Sequence, residues 1–277
     1  MNNDILKTIE RIKGIPAPFT FVADSSERAL DLLCRTFCMP TADNVVTVEP
    51  AREFYSFVAK TNHVGQRSAK LDDQLTITAD AILKVCNAQT RMVWICSPNS
   101  VTGTSMGREE IRLLLSRFQG MVVVDEVLCD YDRQRPLRME LPQHPRLIVL
   151  SEPGIIFAQR EVISRLHQLD SLYLSQKTAL PEFSDPFERE RQAAFVLQER
   201  DRMMEALRLL PFIQQVFPSD APFFMVRSEQ AAPLRKYLRE RDIVLTMLDD
   251  RPHLLLIPVR TRTENNELVG ALRQYHS

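Results

Sequence analysis

The apolar positions of this chain fall into short unbroken runs separated by stretches of helical spacing. Met92–Cys96 and Met121–Val124 contain no polar residue, the pattern of strands covered on both faces. Between them, Ser97-Pro98-Asn99 and Thr102-Gly103 interrupt the run, and Ile111, Leu114, Leu115 and Phe118 then recur at helical spacing. The stretch Arg91–Val127 therefore predicts a strand, a turn, a helix and a second strand parallel to the first. Its polar residues, Asn99 and Asp125-Glu126, fall at the carboxyl ends of the two strands, where open α/β sheets bind ligands.

The rest of the chain is read around that unit. Helices are expected over Asp4–Lys13, from Ser25 or Ser26 onward with Leu30, Leu33, Cys34 and Phe37 as the buried stripe, over Ala51–Thr61, Ala79–Cys86 and Glu161–Leu172. Strands are expected at Phe19–Val22, Asn44–Val48, Gln66–Leu71, Arg146–Leu150 and Ile155–Ala158, the last two separated only by Ser151-Glu152-Pro153-Gly154. A polar, Pro-containing stretch, Ser175–Pro186, reads as a boundary. After it come a long, charge-rich helix (Phe187–Leu210), then strands Ile213–Phe217 and Phe223–Val226, helix Gln230–Glu240, strands Ile243–Met247 and His253–Val259, and helix Glu264–Tyr275. The expected organisation is a large α/β domain over residues 1–185 and a small α+β domain over residues 186–277.

Composition adds exclusions. The chain has 277 residues, 44% of them hydrophobic, enough to bury a full core. A formal net charge of −1 supplies no field that would recruit nucleic acid or an anionic membrane. No apolar run approaches the roughly 20 residues that span a bilayer, and the charged, amphipathic start is unlike a secretion signal, so the expected location is the cytoplasm. The five cysteines (Cys34, Cys38, Cys86, Cys96 and Cys129) lack metal-like pairing and read as buried thiols; no metal ligand set is assigned. Seven glycines are few for this length, and lysine is scarcer than arginine, confined to Lys7, Lys13, Lys60, Lys70, Lys84, Lys177 and Lys236.

The order of motifs resembles that of class I/II, fold-type-I pyridoxal-phosphate aminotransferases, with histidinol-phosphate aminotransferases the most similar. Ser97-Pro98-Asn99-Ser100-Val101-Thr102-Gly103 is similar to the family's SPNNPTG, and Val124-Asp125-Glu126-Val127-Leu128-Cys129-Asp130-Tyr131 to its VDEAYxDF. Asp43–Val46 through Pro50 and Tyr55 fits the region around its PTYxxY. Pro218–Ala221 before Phe223-Phe224, together with Thr261–Asn266, fits its C-terminal domain. The resemblance implies a three-layer α/β sandwich with a mainly parallel central sheet, plus the small C-terminal α+β domain. It implies pyridoxal 5'-phosphate as cofactor, with Asn99 on the phenolic oxygen, Asp125 on the pyridinium nitrogen, Ser26 and Glu27 in the phosphate turn, and Tyr55 at the same site. It also implies a dimer, either of this chain or with a complete paralogue. The family's N-terminal arm, which crosses to the neighbouring subunit, has no counterpart before Asp4.

Against that pattern, chemistry-bearing positions differ. The Tyr of DEAY is Leu128, the ring-stacking aromatic of PTY is Arg52, and the glycine of the phosphate turn is replaced in Ser25-Ser26-Glu27-Arg28. Pro222 stands where an Asn is expected, and Leu256 where an Arg would grip a substrate carboxylate. The Schiff-base lysine and a phosphate arginine belong between the strands Arg146–Leu150 and Ile155–Ala158, where only a tetrapeptide stands, and no lysine occurs between Lys84 and Lys177. Transamination needs an amine to hold the cofactor and then to carry a proton. His144 and His167 flank this region and read as ordinary surface or helix residues. The expectation is an aminotransferase-like protein with no catalytic residue. The alternatives are an active enzyme on histidinol phosphate or an aromatic amino acid, with Lys177 or a partner supplying the amine, and a non-enzymatic regulatory subunit of a complete paralogue.

Overall fold

The computed structural model describes residues 3–151, 154–172 and 185–275. Two compact units result: Met1–Val101, Met106–Cys129 and Gln134–Ser184 form one, and Thr102–Ser105, Asp130–Arg133 and Asp185–Ser277 the other.

The first unit is built on a seven-stranded sheet. In chain order its elements are α1 (Asn3–Lys13), β1 (Thr20–Val22), α2 (Ser26–Phe37), β2 (Asn44–Glu49), α3 (Glu53–Thr61), β3 (Gly65–Lys70), α4 (Ala79–Val85), β4 (Thr90–Cys96), α5 (Arg108–Arg117), β5 (Met121–Asp125), β6 (Leu147–Ser151), β7 (Ile155–Phe157) and α6 (Arg160–Leu172). The strand order is β1-β7-β6-β5-β4-β2-β3. Strands β3, β2, β4, β5 and β6 run parallel to their neighbours, whereas β7 is antiparallel to both β6 and β1. The mainly parallel α/β sandwich implied by the resemblance is thus observed, including the parallel unit β4-α5-β5.

Local sequence explains these elements. Ser25, not Ser26, caps α2: its Oγ accepts from the Arg28 amide at 3.2 Å. Leu30, Leu33 and Cys34 are fully buried as their spacing predicts, and so is Leu32, whereas Phe37 is half-buried. Strands β4, β5 and β6 supply Val93, Trp94, Val122, Val123, Ile148 and Val149, each no more than 1% exposed, as wholly apolar runs require. Strand β3 is the edge, and its residues alternate between exposed and half-buried up to the buried Ala69. Helix α3 begins later than the Ala51 expected: Arg52 is its extended N-cap residue at φ −64°, ψ 132°. Short 3-10 turns at Cys129–Tyr131 and Leu137–Gln143 carry no apolar periodicity long enough to have been read. Four of the five cysteines are buried and none of the five is in a disulfide.

The second unit comprises α7 (Pro186–Arg208), β8 (Gln215–Val216), β9 (Phe223–Arg227), α8 (Ala231–Arg239), β10 (Thr246–Leu248), β11 (Arg251–Pro258) and α9 (Arg262–Arg273). Its antiparallel sheet has the order β10-β11-β9-β8. Its core gathers Met203, Leu207, Phe224, Val226, Leu234, Leu255 and Leu272. Two strands are shorter than the apolar runs suggest. The amide of Ile243 closes the end of α8 by donating to Leu238, with Asp242 at φ 60°, so β10 starts only at Thr246. Likewise the Ile213 amide donates to Leu210, which removes Ile213 from β8. No described helix is long and apolar enough to cross a membrane.

Candidate functional site

Strand β5 ends at Asp125, whose register partner on β4 is Cys96, and the Ser97 amide donates to the Asp125 carbonyl at 3.0 Å. The Asp125 residue is 1% exposed. Its carboxylate is engaged at both oxygens by the chain itself. Oδ2 accepts from Tyr55 Oη at 2.9 Å and from Arg52 Nη1 at 3.2 Å, while Oδ1 accepts from the Val127 amide at 3.2 Å. Among the described residues, Arg52 is its one ion-pair partner. Arg52 makes this contact from the extended N-cap position of α3, where its side chain forms no capping bond. The guanidinium also lies over the Phe54 ring, 4.4 Å from its centroid.

Asn99 is 3% exposed in the turn after β4. Its Nδ2 donates to the Pro50 carbonyl at 2.8 Å and its Oδ1 accepts from the Val101 amide at 2.9 Å, an Asx turn. One short segment, residues 50–55, therefore engages both Asn99 and Asp125. Tyr55 is 1% exposed and packs edge-on against Trp94, with centroids 5.6 Å apart. The structure thus brings Asn99, Asp125 and Tyr55 into one cluster. Ser26 and Glu27 lie elsewhere, in the first turn of α2, Ser26 buried and Glu27 exposed. That turn abuts the β6–β7 connection: the Ala23 amide donates to the Gly154 carbonyl, and a Cβ on Gly154 would stand 2.7 Å from the Ala23 carbonyl oxygen and 2.8 Å from that of Ser25.

Electrostatics follow from burial. Desolvation raises the Asp125 carboxyl above its ordinary value, and Arg52 and Tyr55, which pull it down, do not fully offset this. For Arg52, burial works against the charge, yet Asp125 prevails and the guanidinium is held more tightly protonated than usual. Burial, followed by the nearby Asp125 charge, raises the Tyr55 hydroxyl well above its ordinary value. The same two causes push the Cys96 thiol up to about 12, so it is no nucleophile at neutral pH. Next along the chain, Glu126 is buried with its carboxyl raised by desolvation, and its Oε1 accepts from the Leu137 amide.

Amines are far less well placed. Of the lysines, Lys7, Lys60, Lys70, Lys84 and Lys236 are exposed and Lys13 is buried on α1; Lys177 lies outside the described residues. His144 sits 3.7 Å from Glu140, and His167 packs on Phe21 with centroids 4.9 Å apart. In the second unit, Leu256 is a mid-strand residue of β11 opposite Met225, and Pro222 offers only its carbonyl, to the Val259 amide.

Residues 6–262 match the sequence pattern described as Aminotransferase class I and II. The chain belongs to this family. Among its relatives is the histidinol-phosphate aminotransferase of Bacteroides fragilis strain YCH46, 32% identical over 293 aligned positions that take in 99% of this chain and 85% of the relative. That of Bacteroides thetaiotaomicron is 30% identical, over 98% and 84% of the two chains. Similar solved structures include histidinol-phosphate aminotransferase from Clostridium acetobutylicum (TM-score 0.80, 17% identity, 96% of this chain and 86% of that one) and the Sinorhizobium meliloti enzyme in complex with pyridoxal-5'-phosphate (TM-score 0.79, 13% identity, 97% and 79%). This aminotransferase-family chain does not fit that cofactor at its own residues. The carboxylate assigned to the pyridinium nitrogen already holds a guanidinium, the amide of Asn99 is turned to Pro50, and no described lysine pairs with Asp125.

The sequence missed the positive role of Arg52, which reads there only as the loss of an aromatic. Nothing local signals a contact between residues 73 positions apart.

Proposed function

We propose that this chain is an aminotransferase-family protein without catalytic turnover, whose remaining role is association, with itself or with a complete member of the family. One observation carries the reading. Ser151 pairs directly with Ile155 across the antiparallel β6–β7 ladder, leaving only residues 152–154 for the connection on which the family resemblance places the lysine and the phosphate arginine. Transamination requires one group to hold the cofactor and then to move a proton between two carbons. Asp125 is committed to Arg52 and Tyr55, and the Cys96 thiol stays protonated at neutral pH.

The test is chemical. The purified chain is mixed with pyridoxal phosphate, reduced with borohydride, digested and weighed peptide by peptide. The expected result is no near-stoichiometric cofactor adduct on any lysine, Lys177 included; stoichiometric labelling of one lysine overturns the proposal. Amino transfer from histidinol phosphate or an aromatic amino acid to 2-oxoglutarate, abolished by Asp125→Ala, would establish an active enzyme in its place.

A further inference from the structure

Loss of an amine does not by itself prevent a protein from binding a pyridoxal-type ring, since the ring's nitrogen, phosphate and faces offer non-covalent contacts. The Asp125 cluster addresses that separate question. A protonated pyridine would bring to Asp125 one N–H donor and one positive charge. Arg52 already brings both to Oδ2, at 3.2 Å, and its guanidinium also lies over the Phe54 ring. A second cation at Oδ2 would have to displace Arg52 or Tyr55 from that oxygen and would meet the repulsion of the guanidinium, poorly screened where Asp125 is 1% exposed. Asn99 is likewise spent, on Pro50 and Val101. Entry of the ring would require Arg52 to leave its counter-ion and its aromatic partner together.

We propose that Arg52 is the resident occupant of the slot that takes the cofactor ring in the family, so that this chain excludes pyridoxal-type ligands whether or not an amine is supplied. The slot is closed from within by the side chain of residue 52, and substitution there reopens it. This inference is independent of the missing lysine: a chain without turnover could still hold the ring.

The probe is pyridoxamine 5'-phosphate, which has no aldehyde and so forms no adduct with lysine. It absorbs where tryptophan emits, and the only tryptophan, Trp94, lies beside Tyr55 at the cluster. Wild type is expected to show no saturable quenching of Trp94. Arg52→Met, which keeps an unbranched apolar stem, is expected to bind at least roughly 10-fold and up to about 100-fold more tightly, the worth of one hydrogen bond to a charged group. Arg52→Met combined with Asp125→Asn is expected to lose that gain. If Arg52→Met does not fold, Arg52→Tyr, which restores an aromatic at this position, makes the same comparison. Saturable binding by wild type overturns the inference and leaves the amine argument standing. Failure of a folded residue-52 variant to bind more tightly than wild type overturns it as well, since the obstacle is then not Arg52.

Discussion

Replacing Arg52 by Met tests the energetics of the buried pair directly. The substitution leaves Asp125, 1% exposed, with hydrogen bonds from Tyr55 and the Val127 amide but without a counter-charge. Breaking a fully buried ion pair by removing one partner costs about 3–5 kcal/mol. The Arg52 side chain is 21% exposed, so water screens part of the interaction, and the expected loss is about 2–3 kcal/mol. The loss should depend on pH with a definite sign. The Asp125 carboxyl is already raised in the folded state, and loss of Arg52 removes the largest influence that lowers it. With a folded value above the unfolded one, the folded state binds the proton more tightly, and stability rises as pH falls from the folded value towards 3.8. The variant's deficit is therefore largest at neutral pH and shrinks on acidification. Adding Asp125→Asn to Arg52→Met removes the stranded charge and should recover most of the loss. Urea unfolding followed by Trp94 emission is the assay, because this single buried tryptophan reports on the first unit. A deficit under about 1 kcal/mol at pH 7, or no rescue by Asp125→Asn, would refute the argument that the pair is buried and committed.

Two further outcomes can be read by urea unfolding, followed by Trp94 emission for the first unit and by far-ultraviolet circular dichroism for the second. Gly154→Ala should destabilise by at least about 1–3 kcal/mol, since the residue has φ +74° and its new Cβ would stand 2.7 Å and 2.8 Å from backbone oxygens of Ala23 and Ser25; an unchanged midpoint contradicts the close approach. Glu199 is 1% exposed and accepts from Arg202 at 2.7 Å and Asn265 at 3.1 Å, and the Arg202 bond above all lowers its carboxyl below the ordinary value of 4.5. Glu199→Gln should cost about 1.5–3 kcal/mol at pH 7. Because the folded value is the lower one, wild type loses this advantage as pH falls below 4.5, and the two unfolding profiles should converge there.

Most of the architecture was legible because the chain states it locally. Uninterrupted apolar runs marked β4, β5 and β6, and the 3.6-residue recurrence of Leu30, Leu33 and Cys34 marked α2. The family was legible because SPNSVTG and VDEVLCDY keep their spacing. What the sequence concealed is non-local. Arg52 looks like a residue that lost a ring, and only the folded chain places its guanidinium on a carboxylate 73 residues away. The bounds of β8 and β10 were misplaced for a related reason. Ile213 and Ile243 are apolar and β-branched, but their amides are spent closing the turns that precede the strands. Propensity cannot register that competition.

If the proposed function holds, the sheet itself explains how a family member can keep its fold with a short β6–β7 connection. Among the described strands of the first unit, consecutive strands that neighbour one another in the sheet are β2–β3, β4–β5, β5–β6 and β6–β7. The first three pairs are parallel, and parallel neighbours need a crossover of a dozen or more residues; cutting those connections short would break the sheet. Only β6–β7 is antiparallel, and an antiparallel pair can close through a few residues with its ladder intact. The family resemblance places the amine and the phosphate arginine on that one connection. Its shortening leaves Val149 opposite Phe157 and Ser151 opposite Ile155, and β7 still pairs with β1 from Thr20 to Val22. The apolar core around this connection is intact: Ile148, Leu150 and Ile156 pack with Phe21 and Leu33. On the proposed reading, fold and reactivity are separable because the resemblance places the reactive residues on the one connection between neighbouring described strands that needs no crossover.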